Sequence, residues 1–224
     1  MDLKTELRHL EELIASGKLE SAKLHYRTIT DRLRCGAEQE EQVVLELVKA
    51  QILAGEDRYK DAIEVATHVL ERARELNLRD KVARCHLLLS AILLRTGDYI
   101  GARSHAEACV YFANWEINDR AFEGDAHINL GLALKNLGSW DEAERHLRQA
   151  IRAYGSSSDN IRRLRASLNL AILLRKMGKV SEASEVALRA LNKARLLSVP
   201  IGIARCSLEL ANIAVIEGDI DQGR

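Results

Sequence analysis

The sequence predicts an all-α fold of antiparallel helix pairs, and three observations carry that expectation. The chain is 47% hydrophobic and 29% charged but only 4% aromatic, with a single proline. Such a composition suits helices, and no segment offers the β-branched and aromatic runs bounded by turn signals that strands need. Apolar residues recur at i, i+3, i+4 and i+7 over 128–137, 140–151, 168–177 and 180–191, the spacing of one buried helix face. Between such stretches a short motif returns at a fixed interval, the mark of a repeat architecture.

The motif is fullest at Gly138-Ser-Trp-Asp-Glu-Ala143. Its counterparts are GKLESA at 17–22, DRYKDA at 57–62, GDYIGA at 97–102, GKVSEA at 178–183 and GDIDQG at 218–223. First residues fall at 17, 57, 97, 138, 178 and 218, so the spacing is 40 or 41 throughout. A glycine at the first position ends one helix in a backbone conformation that other residues adopt only at a cost, which lets the chain reverse within two or three residues. The bulky residue two further on (Leu19, Tyr59, Tyr99, Trp140, Val180 or Ile220) is placed to wedge between the helices. The closing alanine, replaced by Gly223 in the last copy, keeps the second helix thin where the pair crosses.

Taken in order, the first element is Met1 to Gly17, charged at helical spacing and lacking the apolar core of a secretory signal. The second repeat is irregular. Gly55-Glu-Asp-Arg-Tyr59 displaces the hinge glycine and Lys49 stands where leucine is expected, so its register stays open. The third contains the longest apolar run, Leu87 to Leu94, eight residues and less than half a membrane span. The fourth and fifth are the most regular, joined by a linker read at Gly155-Ser-Ser-Ser-Asp-Asn160. The sixth has a first helix at about 201–217, a hinge near 218, and then Gly223-Arg224 where its second helix should begin. The expectation is one solenoid over 1–224, with five full repeats and a truncated sixth, as the N-terminal part of a longer protein.

Helix pairs with Leu-Gly or Leu-Ala in the first helix, Gly-x-aromatic at the turn and alanine three residues on resemble the tetratricopeptide repeat. The residues that carry the likeness are Asn129-Leu130-Gly131 with Gly138, Trp140, Ala143 and Ala150, then Asn169-Leu170-Ala171 with Gly178, Ala183 and Ala190. The resemblance implies a right-handed α-α superhelix. The usual period is about 34 residues, so some six more lengthen the helices by roughly 9 Å in total. Long repeats of this kind look like those in bacterial signalling and transcription regulators of the maltose-regulator type, and in kinesin light chains.

Other functions find little support. Zero formal net charge and a pI near 7.1 give no global attraction to nucleic acid or anionic lipid. Cys35, Cys85, Cys109 and Cys206 lie far apart with no CxxC spacing, and are read as reduced thiols of a cytoplasmic protein. His105 and Cys109, four apart on a helix, can be paired on paper as base and thiol, but Cys109 occupies the seat where sister repeats put Ala150 and Ala190, a packing position. His86 beside Cys85, and His127 with Asp125, lack a third ligand at usable spacing. Glycines are spread one per hinge, with no phosphate loop. The basic cluster Arg162-Arg163-Leu-Arg165 reads as a solvated helix start. No enzyme, metal or cofactor is therefore expected.

What remains is the surface that first helices of successive repeats present together. Counting the hinge glycine as position fifteen, positions 2, 5, 6, 9, 12 and 13 share one side. Position 2 holds Arg84, Asp125, Arg165 and Arg205; position 6 holds Leu88, Asn129, Asn169 and Glu209; near the helix ends stand Arg95, Lys135, Arg175 and Lys176. Seven basic residues thus meet two acidic ones. The helix dipole favours the last-turn cations by about 0.3–1 kcal/mol each without any ligand, but disfavours arginine near a helix start. In peptide-binding relatives asparagine at position 6 holds the backbone of an extended peptide. The candidate site is accordingly Arg84, Asn129, Lys135, Arg165, Asn169, Arg175, Arg205 and Asn212, binding an extended acidic or carboxylate-bearing peptide. Arg84 and Arg165 tied to Asp125 as an internal ion-pair ladder is the competing possibility.

The function expected is a non-catalytic protein-binding scaffold, the sensory or regulatory arm of a bacterial regulator. The alternative is a substrate-recruiting arm for a catalytic domain beyond residue 224. Partners are a protein or peptide, without nucleic acid or membrane, and a homodimer if Leu208, Leu210, Ile213 and Val215 are left exposed.

Overall fold

The computed structural model describes residues 3–15, 18–32, 38–157 and 159–222. Among them every regular element is helical: α1 Leu3–Ala15, α2 Leu19–Arg32, α3 Gln39–Gly55, α4 Tyr59–Glu75, α5 Arg79–Thr96, α6 Tyr99–Trp115, α7 Arg120–Asn136, α8 Trp140–Ser157, α9 Asn160–Lys176, α10 Val180–Leu196 and α11 Pro200–Gln222. The fold is all-α. The chain divides into two compact units, Met1–Cys109 and Val110–Arg224, with the boundary inside α6.

The turns show why the helices stop where they do. Gly97, Gly138 and Gly178 have φ of 87°, 86° and 77°, the left-handed region that side chains resist. A Cβ on any of the three would meet nothing within 4 Å, so backbone conformation, and not lack of space, selects glycine. The next residue folds back: Ser139 N–H donates to Leu134 O at 3.0 Å and Lys179 N–H to Leu174 O at 2.9 Å, the closing bond of a Schellman turn. In the irregular second repeat Asp57 takes this role with φ 61°, and Arg58 N–H donates to Leu53 O at 3.0 Å. Gly55 is simply the last residue of α3. The hinge expected at Gly17 lies outside the described residues.

Asn77 and Ser198 make the same left-handed turn between helix pairs, with φ of 57° and 52°. Ser198 is exposed. Ser198→Gly should therefore raise stability by about 0.5–1 kcal/mol, since relief of left-handed strain outweighs the added freedom of the unfolded chain. A urea midpoint that falls would contradict this.

Two expectations about the helices are corrected. No hinge forms near 218: α11 runs unbroken from Pro200 to Gln222, and Gly218 is absent from the left-handed residues. Glycine inside a helix costs only about 1 kcal/mol, so Gly218 does not by itself end α11. The linker read at 155–160 is mostly helix, because α8 extends to Ser157 and α9 starts at Asn160.

In the first unit α1 packs on α2 and α3 around Leu10, Ile29 and Val48, and α3 on α4 and α5 around Leu53, Ala62 and Ile92. In the second, α7 packs on α8 and α9, and α9 on α10 and α11. Within each unit first helices therefore touch first helices, while α2, α4, α8 and α10 each bridge two of them. The closing alanines Ala22, Ala62, Ala102, Ala143 and Ala183 are wholly buried. At the crossing of α7 and α8, a Cβ on Gly131 would stand 3.0 Å from Leu147 Cγ and 3.3 Å from Ala143 O, so glycine permits this close approach. Leu19, Tyr59, Tyr99 and Val180 are half-buried at the turns, but Trp140 is 41% exposed and wedges less than expected.

Candidate functional site: the first-helix stripe of the second unit

Two aspartate caps set α7 and α9. Asp119 accepts from Ala121 and Phe122 N–H at 2.8 and 3.2 Å, and Asp159 accepts from Arg162 N–H at 3.0 Å. With α11 alongside α9, three first helices stand side by side. Their shared stripe carries Asn129 and Lys135 on α7, Arg165, Asn169 and Arg175 on α9, and Arg205 and Asn212 on α11.

The structure divides these residues by what they already hold. Arg165 Nη2 lies 3.3 Å from Asp125, which also accepts from Tyr154 Oη at 2.8 Å and faces Arg162 at 3.3 Å. Burial pushes the Asp125 carboxyl up, against Arg162, the Tyr154 hydrogen bond and Arg165, which all favour its charge. Arg175 donates from Nε to Glu209 at 2.6 Å, and Glu209 is 4% exposed. Arg165 is therefore held in the ion pair with Asp125 that the competing reading named, Arg175 in one with Glu209 that it did not name, and both acids counted on the stripe are taken up in these pairs.

Lys135 differs. It is half-buried, its ammonium lowered by burial first and by the charge of Lys176 second, and it faces no carboxylate among the described residues. Asn169 is half-buried and makes no side-chain hydrogen bond among the described residues, whereas Asn129 has a partner of its own. Arg205 and Asn212 are exposed. Arg84 belongs to the first unit, exposed on α5, as does Arg95, which pairs with Asp57 at 3.0 Å and lies 5.2 Å from the Tyr59 ring centre. On α11, Leu208 and Val215 are exposed and Leu210 half-buried, but Ile213 is 1% exposed, against expectation.

The thiols are packing groups. Cys85, Cys109 and Cys206 are free and buried; Cys35 lies outside the described residues. Burial pushes the Cys85 thiol up to about 12 and Cys109 higher still, so neither yields a thiolate at neutral pH. Among the described residues no three His, Cys, Asp or Glu side chains gather to hold a metal, and no helix is long and apolar enough to cross a membrane.

One arrangement escaped the sequence reading. His86 Nδ1 lies 2.8 Å from His105 Nδ1 on the next helix, and His127 Nδ1 lies 3.0 Å from His146 Nδ1. The second pair follows the first by one repeat, and that shared offset of 41 was the available signal.

Comparison with known proteins agrees with this architecture. Residues 123–195 and 83–108 match tetratricopeptide repeat models. No curated protein matches the sequence. Among solved structures, a Rap protein complexed with competence and sporulation factor superposes with a TM-score of 0.78 at 15% identity, over 95% of this chain and 63% of that one. Aspartyl phosphate phosphatase F from Bacillus subtilis gives 0.76 at 15%, over 97% and 57%. This chain thus spans less than two thirds of either. NprR in complex with its cognate peptide NprX gives 0.50 at 11%, over 99% and 75%. Residues 83–108 and 123–195 are thus similar to tetratricopeptide repeats, and the fold of the chain is that of the helical-repeat solenoids.

Proposed function

We propose that the second unit is a protein-binding scaffold whose first-helix stripe takes an extended, carboxylate-bearing peptide segment, as the sensory or regulatory arm of a bacterial signalling or transcription regulator. Lys135 carries the reading. A half-buried ammonium beside a second lysine, with no acid facing it among the described residues, is a place where an incoming carboxylate lowers the energy. Asn169 can donate to and accept from one extended backbone at once. Arg205 adds an exposed cation on the next helix. The match to NprR in complex with its cognate peptide supports the peptide class. A second reading, a substrate-recruiting arm, draws only on the structural likeness to a phosphatase.

Fluorescein-labelled extended octapeptides, one set rich in Asp and Glu and one rich in Lys, test this by anisotropy. Only the acidic set should bind, and binding should weaken with salt as charges beyond a Debye length of about 8 Å are screened. Asn129→Ala with Asn169→Ala should cost about 1 kcal/mol per residue in affinity. Untouched binding with a lowered melting temperature would make those asparagines structural, and equal binding of both sets would remove the acidic specificity.

A further inference from the structure

A second surface of the Val110–Arg224 unit is also built for anions. α8, α9 and α10 enclose a cavity of about 410 Å³. Five cations line it: Arg148, Arg152, Arg163, Arg189 and Lys193. Among the described residues no aspartate or glutamate does. On α9 its wall is Arg163, Leu164, Ser167 and Leu170, and the helical period sets Arg163, Ser167 and Leu170 on the side opposite Arg165 and Asn169. The cavity is therefore independent of the first-helix stripe.

The cations are not equally occupied. Arg148 reaches Glu144 at 2.7 Å and also pairs with Glu182, and Arg189 pairs with Glu185 at 3.2 Å. Arg152 has a contact of its own. Arg163 and Lys193 face no carboxylate among the described residues. Like charges converging on one concave wall repel in the empty state, and an anion relieves that repulsion. Guanidinium forks match the oxygens of a phosphate in pairs. Ile151, half-buried on α8, supplies apolar wall beside them. A cavity of this size falls in the range of small-molecule sites, roughly 300–1,000 Å³, and has room for more than an inorganic ion.

We propose that this cavity binds an organic phosphate, its dianionic group between Arg163 and Lys193 and its apolar body on Ile151. Phenyl phosphate, titrated into the ¹⁵N-labelled chain at low ionic strength, tests it. Saturable amide shifts should cluster in 148–152, 163–170 and 186–193, and inorganic phosphate, which lacks the apolar body, should bind at least about tenfold more weakly. The double variant Arg163→Glu with Lys193→Glu should weaken phenyl phosphate by more than about tenfold. Its helical content should match the parent and its melting temperature should not fall, because neither side chain has a carboxylate partner among the described residues. Shifts scattered over the surface, no saturation by about 10 mM, or undiminished binding in the double variant would overturn the site. Equal binding of inorganic phosphate would overturn the apolar contact.

Discussion

Tyr154→Ala is expected to lower the stability of the Val110–Arg224 unit by about 3–5 kcal/mol, the range for truncating a large buried aromatic. Tyr154 heads the fully buried side chains and packs with Ile128, Ala150 and Ala166. Its ring fits because α7 carries Gly124 opposite it: a Cβ there would stand 2.5 Å from Tyr154 Cε1. The hydroxyl donates to Asp125 at 2.8 Å, and that carboxylate also faces Arg162 and Arg165 from α9. Burial raises the phenol far above its ordinary value, so the donor keeps its proton. Truncation therefore opens a cavity and also strips a buried acceptor of its donor. Tyr154→Phe separates the two effects and should cost about 1–3 kcal/mol through the lost donor alone. Urea unfolding followed by circular dichroism measures both, and fluorescence assigns the loss, since Trp115 and Trp140 both lie in this unit. A loss under about 1 kcal/mol for the alanine variant would refute this account of the core.

The fold was legible because it is local. A helix pair needs an apolar stripe, a left-handed turn residue and a small residue at the crossing, and Gly138 with Ala143, or Gly178 with Ala183, displays all of these within six positions. The departures came where a turn can be made by another residue or need not be made. Asp57 replaced glycine, and Gly218 stayed inside α11. The candidate site was less legible, because charge on a stripe says nothing of partners across it. Arg165 and Arg175 stood on the expected side, yet Asp125 and Glu209 hold them from neighbouring helices. Lys135 looked like an ordinary last-turn cation, and its half-buried setting between first helices emerges only from their packing. The cavity over α9 draws cations from three helices, two of them read only for their apolar face. His86, His105 and His127 were each weighed against a neighbour on the same helix, Cys85, Cys109 and Asp125, and only the pairing across a helix hairpin gives them a common property.

That property is a dependence of stability on pH. Each pair is held Nδ1 to Nδ1, which requires one ring to donate and the other to keep a lone pair. His86 and His127 are 8% and 5% exposed. Burial first, and the partner ring second, lowers each to about 4 from 6.5. Around His86, Arg74 approaches Nε2 at 3.3 Å and further opposes a proton, while Asp98 favours one on His105. Around His127 only Glu123 acts in favour of a proton, and the partner ring outweighs it. A histidine whose folded pKa lies below its unfolded value binds fewer protons when folded. Stability from these rings is therefore complete above about pH 6.5, falls as pH drops toward 4, and levels off below that, where both states are protonated. At about pH 5.5 the loss reaches about 1.4 kcal/mol for each ring, His86 acting on the first unit and His127 on the second. Urea midpoints at about pH 7.5 and 5.5, a window above most carboxylate titration, measure it. His127→Leu with His146→Leu should flatten the profile of the second unit while leaving that of the first. A wild-type midpoint that does not move across this window, or an unchanged slope in the double variant, would show that the imidazoles pack there without sensing protons.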